Sequence, residues 1–249
     1  MNKVYLIFIV IVILSLLAIT IIKKIEYFNQ TKLQFIHIPK NAGTSIENLG
    51  NKYGIKWGRF IEKDNYPLYD TPCDYYYWHS PYFIKNKDLK YFAVLRNPYD
   101  KIISEFYYVG GFNQIPKKTH LESFYLWLDD KYKIIQKNKH WNNCHILPQS
   151  EYVYDQDRNK KIDHIIYMDK QFKINLDKLF KQYNLGINID DFEKNNSRDK
   201  TFIKTDLNKK AIEQINEMYD KDFKMLNFTK LQYGVENFIN EHDLDYYED

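Results

Sequence analysis

The sequence predicts an α/β domain in which a central parallel sheet is covered by helices on both faces. Three short apolar runs bounded by turns are typical of buried strands: Leu33–Ile38, Tyr91–Leu95 and Ile162–Met168. Four further segments carry apolar residues at helical spacing: Tyr99–Val109, Leu121–Ile135, Leu176–Tyr183 and Leu207–Met225. Strands that alternate with helices favour a parallel sheet, whose ligands bind at the carboxyl ends of the strands.

The composition is that of a folded domain rather than of a disordered or strongly charged chain. Of the 249 residues, 44% are hydrophobic and 17% are aromatic, which supplies a sizeable core. The 36 basic and 33 acidic residues leave a net charge of +3, and this near balance argues against a nucleic-acid partner. No linker, repeat or low-complexity tract interrupts the chain after residue 32, so we predict a single domain over residues 33–249.

The N-terminal segment predicts a membrane anchor. Val4–Ile22 contains no charged residue, and as a helix it would span roughly 28 Å, about the thickness of one bilayer core. The alternative is a cleaved signal peptide, which is typically shorter and ends in a clearer small-residue cleavage pattern. We therefore expect a short tail at residues 1–3, an anchor at 4–22 and a stem at 23–32. Lysines flank the run on both sides, so charge does not set the orientation.

The cysteines and the glycosylation sequons leave alternatives open. Cys73 and Cys144 are the two cysteines, and they form either one disulfide or two buried thiols. Asn29, Asn195 and Asn227 begin N-glycosylation sequons, which a chain so rich in asparagine also produces by chance.

A first anion-binding motif follows the first predicted strand. Lys40 supplies a cation, Gly43 allows close approach of the backbone, and Thr44 and Ser45 supply hydroxyl groups where a helix begins. The free N–H groups and positive dipole of a helix N-terminus suit a phosphate or sulfate group. The spacing differs from the nucleotide-binding pattern G-x-x-x-x-G-K-[ST]. The alternative is an ordinary strand–turn–helix with a capping box from Thr44 to Glu47.

A second anion-binding motif follows the second predicted strand, in the stretch LRNPYDKIISEF. Arg96 stands at the strand exit with a planar guanidinium suited to phosphate, and Pro98 suits the first turn of a helix. Ser104 follows two helical turns later and could face the same anion. The alternative is that Arg96 pairs with a surface carboxylate while Ser104 is solvated.

These two motifs resemble the two cofactor-binding motifs of the sulfotransferases. FIHIPKNAGTS and LRNPYDKIISEF are most similar to those of the membrane-anchored carbohydrate group that includes the heparan sulfate 2-O- and chondroitin sulfotransferases. The segments CHILPQSEYVYD and NNSRDK, and the Tyr-x-x-Asp of a terminal helix, extend the resemblance to about Leu33–Phe228.

The resemblance implies a nucleotide-kinase-like three-layer fold and the sulfate donor 3′-phosphoadenosine 5′-phosphosulfate, with no metal. It implies that the 5′-phosphosulfate is held by Lys40, Asn41, Ala42, Gly43, Thr44 and Ser45. It implies that Arg96 and Ser104 hold the 3′-phosphate, and that Ser197 and Arg198 lie in a loop closing over the nucleotide. Lys40 would also stabilise charge on the departing oxygen.

The resemblance also indicates a catalytic base. The family places its base in a Gly-His segment between the two motifs, and here that region reads YYYWHSPYF, so His79 is the candidate, preceded by Trp78 instead of glycine. The alternative is a packed core histidine. His37 is interpreted as a packing residue of the first strand. His140 and His145 could line the acceptor groove or pack, and together with Cys144 they match no standard metal-binding spacing.

The sequence therefore predicts a membrane-anchored sulfotransferase that transfers a sulfuryl group to a hydroxyl, expected to belong to a glycan. By resemblance, the catalytic domain would be luminal in a Golgi-like compartment, with type II topology. Two rivals stay open: a small-molecule kinase that uses the same loop, and a non-catalytic module that binds nucleotide or glycan. Acceptor contacts are expected from these residues: Lys85, Lys87, Lys117, Lys118 and the aromatic cluster Tyr75–Trp78.

Overall fold

The computed structural model describes residues 11–16, 32–65, 73, 75–81, 83, 86–110, 120–194 and 200–235. Three strands in this part of the chain form one parallel sheet in the order β1-β2-β3: β1 is Leu33–Ile36, β2 is Lys90–Leu95 and β3 is His164–Tyr167. The three predicted strands and their parallel arrangement are confirmed, and β1 and β3 are shorter than predicted.

The register places the ends of the strands at one edge of the sheet. Leu33 of β1 lies opposite Lys90 of β2, and Phe92 of β2 lies opposite His164 of β3. The residues that follow β1 and β2 are therefore neighbours, which brings the two predicted anion-binding motifs together.

The helices follow the predicted segments with small shifts at their ends. Their bounds are Gly43–Lys52 (α1), Pro98–Val109 (α2), His120–Ile135 (α3), Ser150–Val153 (α4), Phe172–Gln182 (α5), Lys209–Met218 (α6) and Asp220–Met225 (α7). An irregular turn, Trp141–Cys144, and short 3-10 turns such as Tyr77–His79 lie between them. The single helix predicted over 207–225 was wrong, because Tyr219 leaves the helical conformation (φ −113°, ψ 25°) and separates α6 from α7.

Two hydrophobic cores lie on opposite faces of the sheet. Side chains alternate along β2, so Tyr91, Ala93 and Leu95 pack into one core and Phe92 and Val94 into the other. Helices α2, α3, α6 and α7 cover the first face, and α1 and α5 cover the second. A strand buried on both faces reads as a continuous apolar run, which is why the sequence revealed it. The resulting α/β sandwich is the expected three-layer arrangement.

Most of the predicted N-terminal anchor lies outside the described residues. Of Val4–Ile22, the structure describes residues 11–16, which are helical and exposed. In the described part of the chain, no helix is both long and apolar enough to cross a membrane. The predicted tail and all of the predicted stem except residue 32 also lie outside that part, so the anchor stays a prediction.

A disulfide decides between the two alternatives for the cysteines. Cys73 and Cys144 are joined, with their Cα atoms 5.4 Å apart and a separation of 71 positions in sequence. Beside it, the backbone N–H of Tyr75 donates a hydrogen bond to Oδ1 of Asn143 (2.8 Å). The segment that leads to His79 is therefore fastened to the turn that precedes His145.

Candidate active site

The loop after β1 has an unusual backbone conformation and leads directly into the N-terminus of a helix. Lys40 and Ala42 adopt left-handed conformations, with φ of 70° and 60°. Helix α1 begins at Gly43 with Ala42 as its N-cap, no capping side chain and no acidic residue in its first turn. Thr44 is half-buried and Ser45 is buried. The end of α1 thus keeps the properties that favour an anion.

The capping-box alternative for this loop was wrong. The carboxylate of Glu47 is fully buried and accepts a hydrogen bond from Nδ1 of His37 at 2.6 Å, so it does not cap α1. The same histidine explains why residue 43 is a glycine. A Cβ on this residue would lie 2.3 Å from Nε2 of His37, so the glycine makes room for the histidine ring.

A buried amide joins the two anion-binding motifs. Nδ2 of Asn41 donates to the carbonyl of Val94 (2.8 Å) and to Oε1 of Gln149 (2.6 Å). The same Oε1 accepts from the backbone N–H of Arg96 (2.9 Å), and Nε2 of Gln149 donates to the carbonyl of Arg96 (2.7 Å). The Asn41 side chain therefore anchors the loop to the end of β2, while its predicted contact with the donor stays a prediction.

The residues that hold this connection were not predicted from the sequence. The carboxylate of Asp222, on α7, accepts hydrogen bonds from the backbone N–H groups of Gln149 (2.9 Å) and Ser150 (2.8 Å). Burial raises the pKa of Asp222, although these hydrogen bonds act in the opposite direction. The Pro-Gln and Tyr-x-x-Asp segments contained both residues, but nothing in the local pattern indicates that they meet.

Arg96 lies beneath the loop rather than on the surface. Arg96 is 3% exposed, and its Nη1 donates a hydrogen bond to the backbone carbonyl of Lys40 (3.2 Å). A pair with a surface carboxylate, the alternative for this residue, does not fit such burial. The guanidinium therefore lies next to the loop that carries Lys40.

Helix α2 faces the same loop. Nζ of Lys40 lies 3.7 Å from the centre of the Tyr108 ring, a cation–π contact. Ser104 is half-buried and lies one turn before Tyr108 on the same helical face. The predicted residues Lys40, Arg96 and Ser104 therefore belong to one region of the molecule. Ser197 and Arg198 lie outside the described residues.

The rings of His37, His79 and His145 lie close together near the loop. The ring of His79 is 4.6 Å from that of His37 and 5.0 Å from that of His145, measured between ring centres. Each outer ring is hydrogen-bonded through Nδ1 to a fully buried carboxylate: His37 to Glu47 (2.6 Å) and His145 to Glu105 (2.9 Å). His37 is thus more than the packing residue that we predicted, and His145 is buried.

The environment of His79 suits a neutral base. Burial lowers the pKa of its imidazole well below the usual value, and the charges of His37, His145 and Lys40 act in the same direction. A hydrogen bond with the backbone of Asn143 opposes them. Nδ1 of His79 is buried and has no hydrogen-bond partner among the described residues. A neutral imidazole with an uncommitted nitrogen can accept a proton from a substrate hydroxyl.

The remaining candidates form no metal centre in the part of the chain that the structure describes. His140 is half-buried, and burial lowers its pKa. Cys144 is committed to the disulfide. No group of three or more histidine, cysteine, aspartate or glutamate side chains in the described ranges is arranged to hold a metal ion.

These features define an α/β protein with an uncapped helix N-terminus at the carboxyl end of a parallel sheet and with a buried histidine of lowered pKa. The sequence model of the sulfotransferase family matches residues 24–229, and the chain belongs to this family. Its enzymatic reaction is therefore sulfuryl transfer. No curated protein and no solved structure matches the chain.

Proposed function

We propose that this sulfotransferase transfers a sulfuryl group from 3′-phosphoadenosine 5′-phosphosulfate to a hydroxyl of a glycan, with Lys40 and His79 as its catalytic residues. The observation that carries the proposal is a chain of contacts between them: Nζ of Lys40 lies 3.7 Å from the centre of the Tyr108 ring, which stacks on His145 at 5.2 Å, and the His145 ring lies 5.0 Å from that of His79. Lys40 and His79 are thus connected through two aromatic rings.

The residues of the site fit a donor with anionic groups at both ends. When bound, the donor supplies the sulfuryl group, with phosphosulfate at one end and a 3′-phosphate at the other. Lys40 and the uncapped start of α1 suit the phosphosulfate, since backbone N–H groups and a cation converge there. Arg96 and Ser104 are the proposed partners of the 3′-phosphate, and Ser197 and Arg198 belong to the same proposal.

The proposed chemistry needs one proton acceptor and one cation. The imidazole of His79 accepts the proton of the acceptor hydroxyl. The hydroxyl oxygen then forms a bond to sulfur, in line with the sulfur–oxygen bond that breaks, and the electron pair of that bond stays on the departing phosphate oxygen. Lys40 stabilises the negative charge on that oxygen, and the proton remains on His79.

The aromatic cluster supports a glycan acceptor. Tyr75 is 78% exposed, and the rings of Tyr76 and Trp78 lie within 5.2 and 5.6 Å of the His79 ring, between centres. Flat aromatic faces beside the base suit the apolar face of a sugar ring. Of the predicted lysines, Lys87 is exposed. Lys85, Lys117 and Lys118 lie outside the described residues.

Membrane attachment and a luminal location belong to the same proposal. The uncharged run Val4–Ile22 supports a single-pass anchor, as in the carbohydrate sulfotransferases that the chain resembles. The Cys73–Cys144 disulfide supports an oxidising compartment, such as the Golgi lumen of a type II protein.

The first test is a calorimetric titration of the full chain with adenosine 3′,5′-bisphosphate, and then with ATP with and without magnesium. Magnesium-independent binding of the bisphosphate supports the donor site. Binding of magnesium–ATP alone would favour the kinase alternative, and binding of neither would favour a non-catalytic module.

Variants then test the residue roles. Lys40→Ala should abolish transfer from labelled donor while the fold survives, whereas Lys181→Ala, an exposed lysine of α5, serves as the control and should transfer normally. Arg96→Ala should reduce the preference for the 3′,5′-bisphosphate over adenosine 5′-monophosphate. An unchanged preference would contradict the role of Arg96.

A further inference from the structure

We propose that His37 and His145 are positioning residues that hold His79 between them as the proton acceptor of the transfer. The inference rests on the proposed role of His79 and goes beyond it, because it assigns a function to two buried carboxylate–imidazole pairs. We refer to Glu47–His37 and Glu105–His145, together with the ring between them, as the histidine clamp.

The first arm of the clamp connects the donor loop to the base. Glu47 is fully buried, and its carboxylate is held by the backbone N–H of Arg59 (3.3 Å) and by Nε of the same residue (3.5 Å). Its hydrogen bond fixes the ring plane of His37. That ring lies against Gly43 of the loop, and its centre is 4.6 Å from that of the His79 ring. A displacement of the loop would therefore be transmitted to the base.

The second arm supports the other side of the base. Oε1 of Glu105 accepts a hydrogen bond from Nδ2 of Asn142 (3.1 Å), and Oε2 binds Nδ1 of His145. Nζ of Lys101 donates to the carbonyl of His145 (2.7 Å), and Tyr108 stacks on the His145 ring at 5.2 Å. One face of the His145 ring, its Nδ1 and its backbone carbonyl are therefore restrained.

The clamp also surrounds the base with a defined set of charges. Burial raises the pKa of Glu105, but the hydrogen bond and charge of His145 and the charges of Lys40 and Lys101 outweigh it, and the pKa is lowered. Glu105 is thus ionised at neutral pH. The groups acting directly on His79 are His37, His145 and Lys40, and the backbone of Asn143.

The clamp restrains the position of the base. The backbone of Asn143 forms a hydrogen bond with His79, and the rings of His37 and His145 lie 4.6 and 5.0 Å from the His79 ring, between centres. These contacts limit the movement of the base, and a displacement of about 1 Å can cost about 100-fold in rate. After transfer, the imidazolium lies between two rings that are each bound to a carboxylate.

Matched substitutions test the clamp in the full chain. His37→Asn and His145→Asn remove an outer ring but keep an N–H group for the glutamate. His120→Asn is the control, because His120 is also 6% exposed but belongs to the contact of α3 with Tyr107. Histidine ring carbons labelled with ¹³C report each titration by NMR, and the signal lost in His79→Asn identifies the base.

The expected results differ between the clamp variants and the control. Loss of either outer ring should raise the titration midpoint of His79 by about 1 pH unit, because it removes burial and a positive neighbour. Turnover should fall about 10- to 100-fold while the affinity for adenosine 3′,5′-bisphosphate changes less than about 3-fold. The acid limb of the pH–rate profile should move upward with the midpoint. His120→Asn should change none of these quantities.

The proposal is overturned if the midpoint and turnover of both clamp variants match those of His120→Asn. If His145→Asn does not fold, His37→Asn alone decides by the same criteria. If His79→Asn loses turnover while the clamp variants match His120→Asn, His79 stands as the base and the clamp is contradicted. If His79→Asn keeps its turnover, the assignment of His79 as the base is contradicted. The two proposals can therefore fail separately.

Discussion

Gly43→Ala tests the contact between the donor loop and the histidine clamp. An added Cβ would lie 2.3 Å from Nε2 of His37 and 2.5 Å from Cδ2 and Cε1. The ring cannot retreat freely, because Glu47 holds it from the other side. Ordinary contact would require it to move by about 1 Å, and such overpacking costs about 1–3 kcal/mol. Helix propensity favours alanine by about 1 kcal/mol, so the steric cost prevails.

We expect Gly43→Ala to lower the free energy of unfolding by up to about 2 kcal/mol, the steric cost less the gain in helix propensity, and to lower Tm by up to about 8 °C. Turnover should fall by about 100-fold, because the loop and the base are displaced together. Thermal melts and transfer assays measure the two effects. Asn51→Ala is the control, since it adds an alanine to an exposed position of α1 without a clash.

The double variant Gly43→Ala/His37→Asn tests the cause. If the His37 ring is the obstacle, the smaller side chain relieves the clash, and the double variant should be more stable than the sum of the single effects predicts. Wild-type stability and turnover in Gly43→Ala would refute the reasoning.

Three further predictions concern the disulfide, a buried lysine and the cation–π contact. The double variant Cys73→Ala/Cys144→Ala should lose about 4 kcal/mol in urea unfolding, because the bond closes a loop of 71 residues; a midpoint equal to that of the oxidised protein would contradict this. Burial lowers the pKa of Lys101 to about 8, so above that pH the unfolded chain binds more protons than the folded chain. The free energy of unfolding should therefore rise between pH 8 and 10.5 relative to that of Lys101→Met. Parallel pH profiles of the two proteins would contradict this. Tyr108→Leu removes the ring beneath Lys40 and should lower turnover by about 2- to 5-fold; a loss as large as in Lys40→Ala would show a greater role.

The arrangement of β1, β2 and β3 could be predicted because its signal is local. Buried strands of a parallel sheet are short apolar runs, and β2 packs side chains into cores on both of its faces. Helix α2 was equally readable, since Pro98 marks its first turn and Asn97 caps it by accepting from the N–H of Tyr99. The ends of β1 and β3 were less accurate, because hydrogen bonding to the neighbouring strand, not hydropathy, determines where a strand stops.

The role of charged and polar residues was harder to predict. Glu47 fitted a capping pattern with Thr44, yet its carboxylate binds His37, ten residues earlier in the chain. The capping pattern is a statement about a helix in isolation, and a buried partner outside the helix overrides it. In the sequence, His37 only marks the end of an apolar strand. A histidine that packs in a core and a histidine that positions a base can have the same neighbours in sequence, so the sequence does not distinguish them.

The sequence by itself determined the α/β class and the polar turn that follows each of the first two strands, since each depends on residues within about 15 positions of one another. The tertiary structure decided which partners meet. Glu105 binds His145 across 40 residues, and Gln149 binds Asp222 across 73. It also decided the charge state of His79, because the burial that lowers its pKa exists only after the loop, the disulfide-linked turn and α2 have packed together.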